Sequence, residues 1–196
     1  MVSSVCHDGV HNVLTVESYG NENLPVQVNN ISIHVYNEHM EPSCFEDNVN
    51  VVMPGYFVIQ GGNVDVARDF DIIENGIVHA SVALEGDDIC LGGGSKMFLV
   101  PNKMCKFEIC DFVPPDICKT LQKRGVHTLE ELEEKNGFNK TLKIPPSPSF
   151  LGISLLSVLN GNYKIRIELF SKGHKIADFT LPRNYVDLQL GKEPSD

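Results

Sequence analysis

Tyr163-Lys164-Ile165-Arg166-Ile167-Glu168-Leu169-Phe170-Ser171-Lys172-Gly173-His174-Lys175 is the stretch whose reading decides the fold. Tyr163, Ile165, Ile167 and Leu169 alternate with Lys164, Arg166 and Glu168. That is the period of a strand with one face buried and one face wet. Lys172-Gly173 follows as a turn, because glycine tolerates the backbone angles of a tight reversal. The alternation recurs upstream in Ile31, Ile33 and Val35, in Val64, Val66, Phe70 and Ile72, in Val78, Ala80, Val82 and Leu84, and in Cys105, Phe107 and Ile109. Apolar runs at Tyr56 to Ile59 and Met97 to Val100 bring the number of predicted strands to about seven, which fits an antiparallel β-sandwich.

Helical spacing is confined to residues 115–135, where Ile117 and Leu121, then Leu129 and Leu132, recur. Thr128 followed by Glu131 reads as a capping box, and Gly125 divides the segment, so one or two short helices are predicted. Ile144-Pro145-Pro146-Ser147-Pro148 predicts an extended surface connection, since proline cannot serve a central strand. With 196 residues, 42% of them apolar, the chain can bury one core but not comfortably two. The organisation predicted is an N-terminal extension of uncertain structure over residues 1–50, a sandwich over 51–182 and a polar tail over 183–196.

Six cysteines, Cys6, Cys44, Cys90, Cys105, Cys110 and Cys118, leave intervals of 37, 45, 14, 4 and 7 residues. No CxxC pair and no histidine at ligand spacing accompanies them, so disulfides explain them better than zinc. Disulfides imply an oxidising compartment, and Asn30-Ile31-Ser32 and Asn139-Lys140-Thr141 are glycosylation acceptor sequences of the kind used there. The expected location is secreted or lysosomal. Met1-Val2-Ser3-Ser4 lacks the basic start and apolar stretch of a signal peptide, so this expectation requires a signal already removed. The net charge of −10 is unevenly spread: residues 1–95 hold fourteen acids and one base, Arg68, whereas residues 96–196 hold fifteen bases and twelve acids. Scattered lysines exclude a nucleic-acid footprint. They leave open either an ordinary solvated surface or a half that faces anionic lipid headgroups.

The order of these features resembles the ganglioside activators, members of the ML lipid-recognition family. The resemblance runs from Met53-Pro54-Gly55-Tyr56 to about Leu181. It rests on Cys105-Lys106-Phe107-Glu108-Ile109-Cys110, on Cys90 before it and Cys118 after it, and on Gly161-Asn162-Tyr163 with the turn at Ser171-Lys172-Gly173. It implies an immunoglobulin-like sandwich whose sheets splay around an apolar lipid cavity. The residues it implies for lipid binding are Phe57, Phe70, Ile72, Val82, Phe107, Tyr163 and Ile165 with the apolar loop Phe150, Leu151, Ile153, Leu155, Leu156, Val158 and Leu159. In the family the loop before the last hairpin touches membrane; the plainer reading of this loop is a buried strand or turn. The resemblance also implies a Cys90–Cys105 link. Cys110 and Cys118 lack their family partners and are left to pair with each other, and Cys6 with Cys44, among fifteen connectivities open to six cysteines. The last strand, Lys175 to Phe179, lacks the cysteine the family carries there.

No nucleophile elbow, phosphate loop or HExxH motif is present, and Gly92-Gly93-Gly94-Ser95-Lys96 reads as a turn. The acidic residues of 69–74 and 130–134 read as solvated faces rather than a metal or catalytic pair. The expectation is therefore a non-enzymatic protein with no cofactor or metal but a bound lipid, whose partners are a lipid or membrane surface and a lipid hydrolase or a receptor. The rival expectations are a receptor-binding relative and an immunoglobulin-like adhesion module with a closed core. Protonation of its seven histidines in an acidic compartment would lower the negative charge and make membrane engagement depend on pH.

Overall fold

The computed structural model describes residues 5–20, 23–98, 100–111, 113–147, 149–150, 153–154 and 159–192. The strands are β1 (Val13–Ser18), β2 (Val26–Asn37), β3 (Cys44–Phe45), β4 (Asn48–Val51), β5 (Gly55–Val66), β6 (Gly76–Leu84), β7 (Asp87–Leu91), β8 (Gly94–Ser95) and β9 (Lys106–Glu108). Helix α1 (Pro115–Leu121), β10 (Gly125–Thr128) and helix α2 (Leu129–Asn136) come next. β11 (Thr141–Ile144), β12 (Ser149–Phe150), β13 (Ile153–Ser154), β14 (Gly161–Ser171), β15 (His174–Leu181) and β16 (Leu188–Leu190) complete the chain. The fold is all-β with two short α-helices among the described residues, as the sequence predicts.

β1 is the hinge of the architecture. Its residues Val13 to Val16 pair with β2, while Glu17 and Ser18 pair with β15, so one curled sheet supplies two facing layers. One layer runs β1, β2, β5, with β10 and β11 side by side on the far edge of β5. The other runs β15, β14, β6, with β7 and β9 on β6 and β16 on β14. Pairing is antiparallel except between β4 and β16. The layers share their core: Val26 and Val66 pack with Val78, Ile176 and Ala177, and Leu14 and Val35 pack with Ile165 and Leu188. Each such aliphatic side chain contributes about 1.5–3 kcal/mol when fully buried. The β14–β15 hairpin turns at Lys172 and Gly173, both with positive φ, as a primed two-residue turn requires.

Several expectations need correction. The first fifty residues are no added module, because β1 and β2 are central: β2 pairs with β5 from Val26–Val66 to Asn37–Gly55. The segment after residue 182 is not wholly a loose tail, since Leu188 is buried and β16 joins β14 and β4. Tyr56 to Ile59 and Val64 to Val66 belong to one strand, β5, which passes straight through Gly61-Gly62. Phe70 and Ile72 lie beyond that strand, in its connection to β6. Met97, Phe98 and Val100 belong to no strand, and Val100 N–H donates to Met97 O at 3.1 Å.

Cys6–Cys44, Cys90–Cys105 and Cys110–Cys118 are bonded; the Cys90–Cys105 link is the one the resemblance implies, and the other two are the pairs expected among the cysteines that lack family partners. Thr128 caps α2, its hydroxyl accepting from Glu131 N–H at 3.2 Å, and Gly137 ends the helix in the left-handed region. Thr128→Ala is expected to cost about 1 kcal/mol, read as a lower urea midpoint with an unchanged slope.

Candidate functional site

The hydrophobic pattern of β2 and β5 turns Ile31, Ile33 and Val35 to the same face as Phe57 and Ile59, because Ile33 pairs with Ile59 and Val35 with Phe57. At one end of this face the space is filled: Val35, Phe57 and Ile33 pack against Leu14, Val51 and Ile144. At the middle of the strands it is not. The ladder is interrupted between Asn29 and Ser32, opposite Gly61-Gly62. A Cβ at Gly62 would stand 2.5 Å from Ile31 Cα, and Gly62 has φ +108°, so only glycine fits this bulge. Two adjacent residues without side chains leave the sheet floor bare.

α1, β10 and α2 arch over that floor. Ile117 and Leu121 of α1, Leu129 and Leu132 of α2, and Phe138 after it project toward Ile31, Ile59 and Val64, enclosing an apolar pocket of about 260 Å³. The helical spacing of these leucines and isoleucines puts them on one side of each short helix. The Cys110–Cys118 disulfide fastens α1 to the preceding turn, with Cys118 almost wholly buried. Leu142 of β11, 40% exposed, stands on the pocket rim beside Phe57 in register.

With Asn63, His127 of β10 is a polar element of the wall and is only 6% exposed. Its Nε2 lies 2.8 Å from Lys123 O. Nδ1 stands 3.3 Å from the Glu131 carboxylate, but the angle is too poor for a hydrogen bond and the atom has no partner. Glu131 is held below the usual carboxylate range, first by the Lys135 ammonium that donates to it at 2.7 Å and further by the nearby imidazole. On its other side His127 borders an open cleft of about 630 Å³ lined by Lys119, Lys123, Arg124 and Lys135, with Asp116 and Glu131. The apolar pocket thus adjoins a cleft in which cationic side chains outnumber carboxylates.

Phe57, Phe70, Ile72, Val82, Phe107, Tyr163 and Ile165, expected to bind lipid, are not among the residues that line this pocket. Ile72 is buried, and Phe70 and Phe107 pack against it in the core. Phe57 and Ile165 sit in the neighbouring cluster, and Val82 and Tyr163 in a third around the Cys90–Cys105 disulfide. Tyr163 donates its hydroxyl to Leu159 O at 2.5 Å, and burial pushes its phenol pKa up. Phe150 and Ile153 pair through their backbones as β12 and β13. Leu151, Leu155, Leu156 and Val158 lie outside the described residues. Asn30 and Asn139 are both exposed. The pocket residues Ile31, Ile117, Leu121, Leu129 and Leu132 were visible as periodic apolar positions, but nothing in their spacing distinguished a pocket wall from a filled core. Among the described residues no cluster of His, Cys, Asp or Glu could hold a metal, and no helix is long and apolar enough to cross a membrane.

Neither a protein-family model nor a curated protein matches the chain. Fold and pocket together define a disulfide-stapled β-sandwich with an apolar pocket on its inner face, and three disulfides indicate an oxidising environment, extracellular or lysosomal.

Proposed function

We propose that the protein is a non-enzymatic lipid carrier of the ML type, akin to the ganglioside activators, which holds an apolar chain between its sheet and its two helices. The observation that carries this reading is the pocket itself. Apolar walls with two polar residues, Asn63 and His127, are the composition of small-molecule sites, although 260 Å³ falls just below their usual range of roughly 300–1,000 Å³. An engineered apolar cavity of about 150 Å³ takes up benzene, so this one suits a single slim chain rather than a whole two-chain lipid. Side chains facing a void lack dispersion partners on one side, and an acyl chain supplies them. The polar head of such a ligand would lie toward the cationic cleft that shares His127. Exposed acceptor sequences at Asn30 and Asn139 accord with a glycoprotein of the secretory route, and a lipid hydrolase or a receptor is the partner to seek for the loaded form.

The test is native mass spectrometry of the purified protein, followed by organic extraction, and titration with a fluorescent fatty acid at neutral and acidic pH. A stoichiometric lipid, or saturable uptake of the probe, is the expected result. Ile59→Trp, which puts an indole into the void, is expected to keep the fold and weaken uptake at least tenfold. An empty protein that takes up no probe at either pH would sink the reading.

A further inference from the structure

Residues 89–107 contain no aspartate or glutamate and three lysines, Lys96, Lys103 and Lys106, in a chain of net charge −10. The described residues of this segment are closed into a loop by a disulfide and by hydrogen bonds. Cys90 and Cys105 are disulfide-bonded and nearly inaccessible, and Lys96 N–H donates to Ile89 O at 2.9 Å. Asn102 Oδ1 accepts from Ser95 N–H at 2.9 Å, and Ser95 donates its hydroxyl to Met97 O at 2.8 Å. Val100 N–H donates to Met97 O, and Phe98 stands entirely in solvent, with a relative exposure of 102%. Met104 is 57% exposed and Leu91 51%. An open concavity of about 840 Å³ at the loop's C-terminal end is lined by Ile77, Met104 and Phe107, with Lys103 and Lys106 offset by Glu108 and Asp111, so the loop's excess of lysine belongs to residues 89–107 and not to this hollow.

A phenylalanine with no packing partner, on a loop tied down by its own disulfide and backbone, is costly to leave in water. Its surroundings say what covers it. A segment that carries an exposed phenylalanine, three lysines and no acid matches the anionic surface of a bilayer, into whose interface the ring can sink while the ammonium groups stay at headgroup level. A protein partner would have to supply a carboxylate-rich rim around an aromatic pocket; a bilayer containing acidic lipid offers both properties without a shaped site.

We propose that the disulfide-closed loop 90–105 is the surface by which the protein docks on anionic membranes, with Phe98 as the inserted anchor and Lys96, Lys103 and Lys106 as its electrostatic collar. This deepens the carrier reading by naming the surface a carrier would meet, yet the contact stands on the loop alone. The pocket and the loop are separate places in the fold, so each can be broken without the other.

The experiment is cosedimentation of the full chain with vesicles of phosphatidylcholine alone and of phosphatidylcholine mixed with phosphatidylserine. The wild type is expected to bind the mixed vesicles, to bind the neutral ones far less, and to be released by salt as screening shortens the range of the lysines. Phe98→Ser is expected to lower affinity about tenfold to a hundredfold. Lys96→Gln with Lys103→Gln is expected to lower it about twentyfold, on the mixed vesicles only. Thermal unfolding and fatty-acid uptake should be unchanged in both variants. Equal binding by wild type and Phe98→Ser, or no binding by the wild type, overturns the proposal. So does a Phe98-dependent dimer in sedimentation of the protein alone, which would make a second copy the occupant. Probe uptake without vesicle binding removes the docking surface and leaves the carrier; vesicle binding without uptake does the reverse.

Discussion

Reduced under otherwise native conditions, the protein is expected to unfold at temperatures where the oxidised form is fully folded. The three disulfides close intervals of 38, 15 and 8 residues. Loop-closure entropy assigns these about 4, 3 and 2.5 kcal/mol respectively. Together they amount to about 9 kcal/mol, against a total stability of roughly 5–15 kcal/mol for an ordinary domain. The order of loss also follows from burial. Cys90, Cys105 and Cys118 are nearly inaccessible, whereas Cys6 and Cys44 are only partly covered. Cys6–Cys44 is therefore the bond a reductant reaches first. It secures the segment before β1, where buried Asn12 accepts from Gly9 N–H and donates to Val35 O. Thiol trapping with mass spectrometry should find Cys6 and Cys44 alkylated first, with a marked fall in unfolding temperature already at that step and a further fall once the other two pairs open. Six trapped thiols with an unshifted unfolding temperature would mean that the core alone holds the fold.

How much of this was legible in the sequence depended on whether a segment carries its own period. β14 and β6 could be read residue by residue, because each buries one face along its length and Tyr163 to Leu169 runs opposite Leu84 to Val78 in unbroken register. β10, β11 and β16 are three or four residues long and exist through their neighbours, so no local alternation announces them. β5 was misread as two strands because Gly61-Gly62 looks like punctuation. In the fold it is a bulge whose missing side chains make the pocket floor. The pocket was illegible for a related reason: sequence tells which residues point inward, as it did for Phe57, Phe70 and Val82, but not which inward position lacks a partner. That depends on where α1 and α2 settle over the sheet. The exposed Phe98 was hidden in an apolar run that had every outward sign of a short strand.

Asp178→Ala is expected to cost about 2–4 kcal/mol, as much as truncating a buried aliphatic side chain of the core. Arg166 and Asp178 lie on the face of β14 and β15 opposite the core, since Ile165 and Ile167 beside Arg166 point inward. Even so, Asp178 is only 2% exposed. Arg166 donates from Nε to one of its oxygens at 2.8 Å and from Nη2 to the other at 2.5 Å, while Lys175 stands 3.3 Å away. The pairing pushes the Arg166 pKa still further up, chiefly through this hydrogen bond, so the guanidinium is charged at every pH of interest. Removing the carboxylate leaves Arg166 and Lys175 with Glu168 as their shared anion and deprives Arg166 of two strong, charge-assisted bonds. Breaking a buried pair commonly costs about 3–5 kcal/mol; the lower figure holds here because a third of the Arg166 side chain reaches water. Asp178→Asn keeps an acceptor for Arg166 and is expected to fall midway. Urea denaturation measures both, with fatty-acid uptake as the control, because the pocket lies on the other layer and should fill normally while the variant is folded. An Asp178→Ala midpoint equal to that of the wild type would show that Glu168 takes over the arginine at no cost, and the ion cluster would then lose its place as the support of the outer face.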